Sequence, residues 1–478
     1  MAIGFAGSVV IARLLGPQGY GVVAVSMTIP LTIYGFTDLG LTATIIRYTA
    51  MKKYTHAWIA FILRIAAGIL ASLFVFIFAD SFALLVKRPY ISGYIKILSL
   101  YILGSSVIDS IKALMMGFNK YKYITIIEPI RQGLRAGISI LLILIGLRVY
   151  GAIAGIAIGV SLSALITILF TYKEIQNIRQ YNYSSFSQIF HEIILFALPL
   201  YLPQILSTPL YKIIEIYVAR FVPNTELGLY NVAVNIALVL NLISSNLETV
   251  LFSTLSSIAK NRELLKMSIY KSTLYTTIIL ISLAFLLAIT SKPIIIIIYG
   301  KHFSNASIYL SLIASRWVFT ATGSMSIPIY FKALGYTKII AYANILHSII
   351  YITIAIQLIK KYGILGMIIS YLISDAISAF YYLFLGITRY KLSIPLKKTL
   401  AMIMYFISAY LLLYLMDNKI NIFIYLLFIF LSFFIFFYII IKIILSNNEF
   451  NELKYIILSL VPNKIKRLLE STILYRKG

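Results

Sequence analysis

The sequence predicts an all-α polytopic membrane protein of about 14 transmembrane helices, arranged as two pseudo-symmetric six-helix lobes plus two C-terminal helices. Three observations carry this. Hydrophobic residues make up 61% of the 478 residues and charged residues only 12%, with a mean hydropathy of +0.95. Apolar runs of about 20 residues, the length that crosses a bilayer core, fill nearly the whole chain. A short signature also recurs, since Ala12, Arg13 and Gly21 reappear as Ala219, Arg220 and Gly228 at one constant offset. The runs are continuously apolar and too long for barrel strands, which excludes a β-barrel.

In chain order, Met1 to Ala12 is apolar but only about half a span. Either the true start lies upstream or the first helix is short. Apolar segments follow at 20–46, 57–79, 91–116, 122–147 and 150–172, completing an N-terminal lobe over 1–172. A polar linker occupies 173–192. A second series at 193–218, 228–257, 272–290, 303–331, 339–359 and 363–387 makes a C-terminal lobe over 193–390. A final pair at 399–416 and 420–445 lies within 391–446, and a basic amphipathic tail spans 447–478. The run Ser291-Lys292-Pro293 with Ile294 to Ile298 is too short to span and is expected to lie at the outer interface.

The lobes share further landmarks. Lys112-Ala113-Leu114 with Gly117 matches Lys332-Ala333-Leu334 with Gly335, and Tyr150-Gly151 with Gly155 matches Tyr362-Gly363 with Gly366. Six helices per lobe is an even number, so both lobes enter from the same side as parallel repeats. With the N-terminus cytoplasmic, most loop Lys and Arg fall inside, including Lys52, Lys53, Lys120, Lys173, Lys260, Arg262 and the basic tail. Both termini are therefore expected in the cytoplasm, and the protein in the cytoplasmic membrane.

The formal charge of +26, from 41 Lys and Arg against 15 Asp and Glu, fits basic loops that face anionic head groups. No basic aromatic surface outside the membrane is large enough for nucleic acid. The chain has no cysteine, which excludes disulfides, thiol catalysis and Cys-zinc sites. No cofactor or metal is expected. Met1 to Ile11 lacks the basic start of a cleavable signal peptide.

Ionised side chains at bilayer depth are costly, so each is a functional candidate. Glu128, Arg131 and Arg135 share one helix face by their spacing. Glu128 balances one guanidinium and leaves one positive charge unmatched. Arg316 lies mid-way along the tenth segment and Arg64 within the third. Lys112 has Asp109 one turn before it, and Lys212 has Glu215 one turn after it. Both pairs read first as internal ion pairs that fix packing. Arg135, Arg316, Arg64, Lys112 and Arg131 together suit an anionic substrate, because guanidinium groups match phosphate oxygens bidentately. Asp375, Glu248, Glu128 and Asp38 are carboxylate candidates for a coupling ion, against a satisfied structural role. His347 reads first as a buried hydrogen-bonding residue and second as a proton site. Arg13 and Arg220 sit at equivalent outer ends, where an arginine can snorkel. They read as lobe markers or as positive charge at an outer mouth. Pro199, Pro203 and Pro209 in one segment predict a bent or broken helix that could serve as a hinge.

Ala12-Arg13-Leu14-Leu15-Gly16-Pro17 with Gly19-Tyr20-Gly21, then Asp38-Leu39-Gly40-Leu41 and Arg47, resembles the polysaccharide-export flippase family of the multidrug/oligosaccharidyl-lipid/polysaccharide exporter superfamily. Ile298-Tyr299-Gly300-Lys301-His302-Phe303, Gly335-Tyr336 and Tyr362-Gly363 with Gly366 resemble later elements of that family. The short first helix departs from its pattern. The resemblance implies two six-helix lobes plus two helices. It also implies alternating access that moves a lipid-linked oligosaccharide, on a polyprenyl or dolichyl phosphate or pyrophosphate, across the membrane. Such a protein is not an enzyme, is expected to be a monomer, and would meet membrane lipids and other glycan-assembly membrane proteins. A multidrug or cation antiporter of the same superfamily would need an acidic cavity. A membrane glycosyltransferase or polymerase would need a sizeable outer loop or paired acids, and the outer loops carry only Asp80, Glu226 and Asp417.

Overall fold

A computed structural model describes residues 2–179, 186–205 and 208–416, with isolated positions between Leu431 and Glu449. The described residues are helical and contain no strand. The helices are α1 (Ala2–Phe36), α2 (Leu41–Ala50), α3 (Tyr54–Ile77), α4 (Ala79–Leu85), α5 (Ser92–Gly117), α6 (Tyr121–Leu142) and α7 (Arg148–Phe170). There follow α8 (Tyr172–Ile178), α9 (Phe186–Ile205), α10 (Thr208–Ala219), α11 (Asn224–Ser257), α12 (Arg262–Ile289) and α13 (Ser291–Tyr299). The series ends with α14 (Ala306–Ser315), α15 (Ser326–Ala333), α16 (Thr337–Thr388) and α17 (Leu396–Met416). The expected fourteenth segment and the basic tail fall almost wholly outside the described residues.

Among the described residues, seven stretches are long and apolar enough to cross a bilayer, two of them far longer than one crossing: Tyr121–Phe170 with 50 residues and Thr337–Thr388 with 52. A straight helix of that length would reach about 75 Å, against a core of about 30 Å. Both turn back at a glycine with positive φ, Gly146 (φ 102°) in the first and Gly363 (φ 57°) in the second. The helix α1 likewise breaks at Gly16 (φ 68°), just before Pro17. The Gly-Pro element of the repeated signature is therefore the joint between two helical segments, as its composition predicts.

Contacts divide the chain into two compact units. The first comprises Met1–Leu238, Lys292–Ile313 and Ala341–Asp375. Within it α6 and α7 form an antiparallel hairpin whose spacing is set by glycine. A Cβ on Gly151, Gly155 or Gly159 would stand 2.8, 2.3 or 2.6 Å from the α6 backbone at Leu142, Ser139 and Arg135 respectively. Lipid tails are as apolar as leucine, so helices gain by close backbone approach over small residues rather than by hiding apolar surface. The Ser139 hydroxyl adds a 3.0 Å hydrogen bond to the Ala152 carbonyl. A second close approach joins the repeated signatures themselves. A Cβ on Gly21 would lie 1.7 Å from the Asn224 carbonyl oxygen, and one on Gly228 2.1 Å from that of Pro17.

Polar groups fasten the ends of this unit. The Arg13 guanidinium donates from Nε to the Ile298 carbonyl at 2.7 Å and from Nη2 to that of Ile297. These are last-turn carbonyls of α13, so the charge meets the negative end of a helix dipole. At the linker after α7, Lys120 Nζ lies 3.0 Å from Glu174, whose carboxylate also accepts from the Tyr123 hydroxyl at 2.7 Å. Burial pushes this carboxyl up, but these hydrogen bonds outweigh it and hold it below its usual range. It therefore contributes stability above its unfolded value and loses that contribution as the medium acidifies.

The second unit comprises Val239–Ser291, Ala314–Ile340 and Ala376–Gly478. Its core gathers on α12, where Leu274, Phe285 and Ala288 pack with Ala314, Ala321, Met402 and Phe406. Buried hydroxyls tie the helices: Thr273 with Ser326 at 2.5 Å, and Thr399 to the Ala321 carbonyl at 2.9 Å.

Replacing Gly155 by leucine forces a bulky side chain against the α6 backbone. The expected cost is about 2 kcal/mol, the range for overpacking. A thermal melt of the purified full chain in detergent should show a clear drop, and an unchanged melt would remove the hairpin seam from this account.

Candidate functional site

The first unit carries a cluster of ionised side chains where α5 and α6 face each other. Lys112 Nζ lies 3.4 Å from Asp109 and 3.2 Å from Glu128. Arg131 Nη1 lies 3.4 Å from Asp109 and 3.9 Å from Glu128. Gln132 donates to the second Glu128 oxygen at 2.8 Å, and the Tyr34 hydroxyl of α1 donates to Asp109. Two acids thus meet two bases across a helix pair. Arg135, one turn beyond Arg131, is half-buried, and its side chain makes no hydrogen bond or ion pair among the described residues. The α5–α6 face therefore keeps one net positive charge. The buried Nε of Arg131 and Oε1 of Gln132 also lack partners among the described residues.

The other candidate cations differ from this. Arg64 is 3% exposed and committed within the fold. It pairs with Asp38 at 3.4 Å, donates to the Thr37 hydroxyl at 2.7 Å and lies over the Tyr34 ring at 5.5 Å. Asp38 also accepts from the Thr42 hydroxyl. Arg316 belongs to the second unit, in a 3-10 turn after α14, with its guanidinium 5.3 Å from the Trp317 ring centroid. Arg13 caps α13, while Arg220 is exposed. Glu248 is exposed on α11, where it accepts from Ser244 at 3.3 Å. Lys212 and Glu215 form the expected in-helix pair at 2.6 Å. Pro199 lies inside α9, and a new helix, α10, starts at Thr208 just before Pro209. The side chains of Pro203 and Pro209 and the link at 206–207 lie outside the described residues.

A second polar site lies among aromatic rings on α10 and α16. His347 bonds at both ring nitrogens: Nε2 is 3.0 Å from Asp375 and Nδ1 is 2.7 Å from the Tyr211 hydroxyl. The rings of Tyr211, Tyr351 and Tyr371 lie 5.8, 6.4 and 5.4 Å from the imidazole. A carboxylate can only accept, so it orients Nε2–H toward Asp375 and leaves Nδ1 to accept from Tyr211. A proton added at Nδ1 would force the Tyr211 hydroxyl to turn away. Asp375 and His347 were both visible candidates. Tyr211 and Tyr34 were not, because one tyrosine among 37 carries no signal of which helix it will face.

A family model described as "Polysaccharide biosynthesis protein" matches residues 10–308. The chain belongs to this family. A curated relative, the succinoglycan biosynthesis transport protein ExoT of Rhizobium meliloti (strain 1021), is 25% identical over 68% of the chain and 65% of its own length. The chain thus spans just under two thirds of that relative. Among solved structures, lipid II flippase MurJ in an inward closed conformation superposes with a TM-score of 0.72 at 19% identity. That alignment covers 92% of this chain and 96% of MurJ. An inward-facing multidrug resistance MATE family transporter of the MOP superfamily follows at 0.63 and 14% identity, over 81% and 94% of the two chains. This family member therefore has the fold of that superfamily and is a multi-pass membrane protein.

The two kinds of arginine should separate in a thermal melt. Asp109→Asn strips both Lys112 and Arg131 of a partner and is expected to cost about 2 kcal/mol. Arg135→Gln removes no described contact and should stay within about 0.5 kcal/mol of the parent. The reverse order of stability would show that Arg135 is held by the fold.

Proposed function

We propose that the chain is a flippase that carries a lipid-linked oligosaccharide, on a polyprenyl or dolichyl phosphate or pyrophosphate, across the cytoplasmic membrane. The observation that carries this reading is Arg135, a guanidinium midway along the apolar α6 span with no ion partner among the described residues, beside a locally neutral network. A phosphate needs a positive charge that the fold has not already spent, and sugar hydroxyls need the donors and acceptors that Gln132, Lys112 and Glu128 supply. Family membership and the superfamily fold support a transporter rather than an enzyme. The lipid tail would remain in the bilayer while the polar head crosses between two lobes.

Alternating access about an axis along the membrane normal fits the signature glycines. Gly21 and Gly228 are equivalent by repeat and pack on each other's helices, as residues close to such an axis must. Pro199, Pro203 and Pro209 are assigned the hinge role at the start of the second lobe. Arg64 serves this site by position, holding Asp38 and Tyr34 behind Asp109. Arg316 is the phosphate-binding candidate of the second unit. The Tyr211–His347–Asp375 chain is the preferred coupling site, since a proton there changes both charge and hydrogen-bond direction in one helix pair. Glu128 and Asp38 already balance cations, and Glu248 lies exposed. Both termini are assigned to the cytoplasm, and the transporter is read as a monomer working beside the membrane proteins that assemble the glycan. Export of organic cations, the second reading, is favoured by the multidrug names of structural neighbours that share 14% identity with the chain, and the positive α5–α6 face opposes it.

A proteoliposome assay with a defined polyprenyl-pyrophosphate oligosaccharide tests both features. Arg135→Gln is expected to lower the flipping rate by at least about tenfold, the loss of one charge-assisted phosphate contact. His347→Gln should keep flipping but abolish its acceleration by an imposed pH gradient. Efflux of an organic-cation dye without any flipping would overturn the reading.

A further inference from the structure

The same arginine of the repeated signature meets different fates in the two halves. Arg13 is consumed at the end of α13, with two backbone carbonyls on its guanidinium. At the end of α10 a different residue, Arg88, takes that work. Its Nε donates to the Asn224 side chain at 2.8 Å, Nη2 to the Val222 carbonyl at 2.5 Å, and Nη1 to the carbonyls of Ala219 and Val86. Asn224 in turn donates to the Tyr90 hydroxyl at 2.7 Å. Arg220 is thereby released. Its side chain is exposed, with no hydrogen bond or ion pair to the guanidinium among the described residues.

Arg220 lines a cavity of about 360 Å³ with Gln18, Lys87, Arg88, Tyr90 and Asn224. Lys87 is also exposed and unpaired among the described residues, in a left-handed conformation (φ 58°) that ends α4 where glycine would be cheaper. No carboxylate lines the cavity. The acid nearest in sequence, Glu226, is engaged by the Tyr309 hydroxyl. The walls are braced by buried Arg88, while two cations are left unspent above them. Such a preorganised basic pocket suits a compact anion with several oxygens. All of these elements fall on the predicted outer side.

We propose that this pocket binds the phosphate of a lipid at the outer membrane surface, with Lys87 and Arg220 as its charged contacts. Two lipids present that chemistry there: a bulk anionic phospholipid and a polyprenyl phosphate carrier. The site is separate from the α5–α6 cluster and does not depend on how that cluster works.

The test is native mass spectrometry of the full chain in phosphatidylcholine nanodiscs, titrated with polyprenyl monophosphate in one arm and phosphatidylglycerol in the other. Lys87→Gln with Arg220→Gln should weaken binding in one or both arms by at least about tenfold, and the arm that responds names the lipid. Lys87→Arg with Arg220→Lys should retain binding, and a thermal melt should match the parent for each variant. The control, Lys360→Gln with Lys361→Gln, removes two exposed cations on the same predicted side and should change nothing. Unchanged binding in both arms for the pocket variant would overturn the proposal. An equal loss in the control would also do so, since it would show general surface attraction rather than a site.

Discussion

An ionised side chain in hydrocarbon costs several kcal/mol unless another group answers it, and that cost shapes the interior of the first unit. Asp109, Glu128, Lys112 and Arg131 answer one another within and across α5 and α6 at 3.2 to 3.9 Å. At a lower local dielectric such pairs hold firmly, but only with their geometry fixed. That geometry is fixed from behind. Tyr34 reaches Asp109 from α1, Arg64 holds Asp38 beside Thr37, and the glycine seam of α7 presses on α6 at Arg135. The network is nearly closed, and Arg135 is what it leaves over. The proposed preference for an anionic substrate rests on this remainder rather than on the raw excess of Lys and Arg.

The same economy governs the helix ends. A helix that stops exposes carbonyls that must find partners. Arginines meet two of the resulting demands, Arg13 at the end of α13 and Arg88 at the end of α10. Packing within the unit then depends on small residues. Gly21 and Gly228 admit backbones closer than any side chain would allow, so the repeated signature is above all a joint. Its arginine caps a helix in one half and stands free in the other.

Hydrocarbon thickness makes the membrane class and most helix positions readable from composition alone. The breaks at Gly16, Gly146 and Gly363 were readable because glycine and proline punctuate helices for local reasons. In-helix pairs such as Lys212 with Glu215 follow from spacing. Partners on other helices do not. Arg64 is expected among substrate contacts and is instead committed to Asp38 and Thr37. Tyr34, Tyr211 and the brace made by Arg88 gave no sequence signal, since which face of an all-apolar helix turns inward is decided by tertiary packing. His347 reads from sequence as a hydrogen-bonding residue, and its ring bonds to Asp375 and Tyr211.

The central claim is that the interior recognises a phosphate through a guanidinium the fold leaves unspent. Its most direct measurement compares polyprenyl pyrophosphate with the uncharged polyprenol for binding to the full chain in zwitterionic nanodiscs. The account predicts binding of the pyrophosphate that Arg135→Gln weakens by about tenfold or more and that salt diminishes, with little binding of the alcohol. Equal binding of the alcohol and the pyrophosphate, indifferent to Arg135, would contradict it.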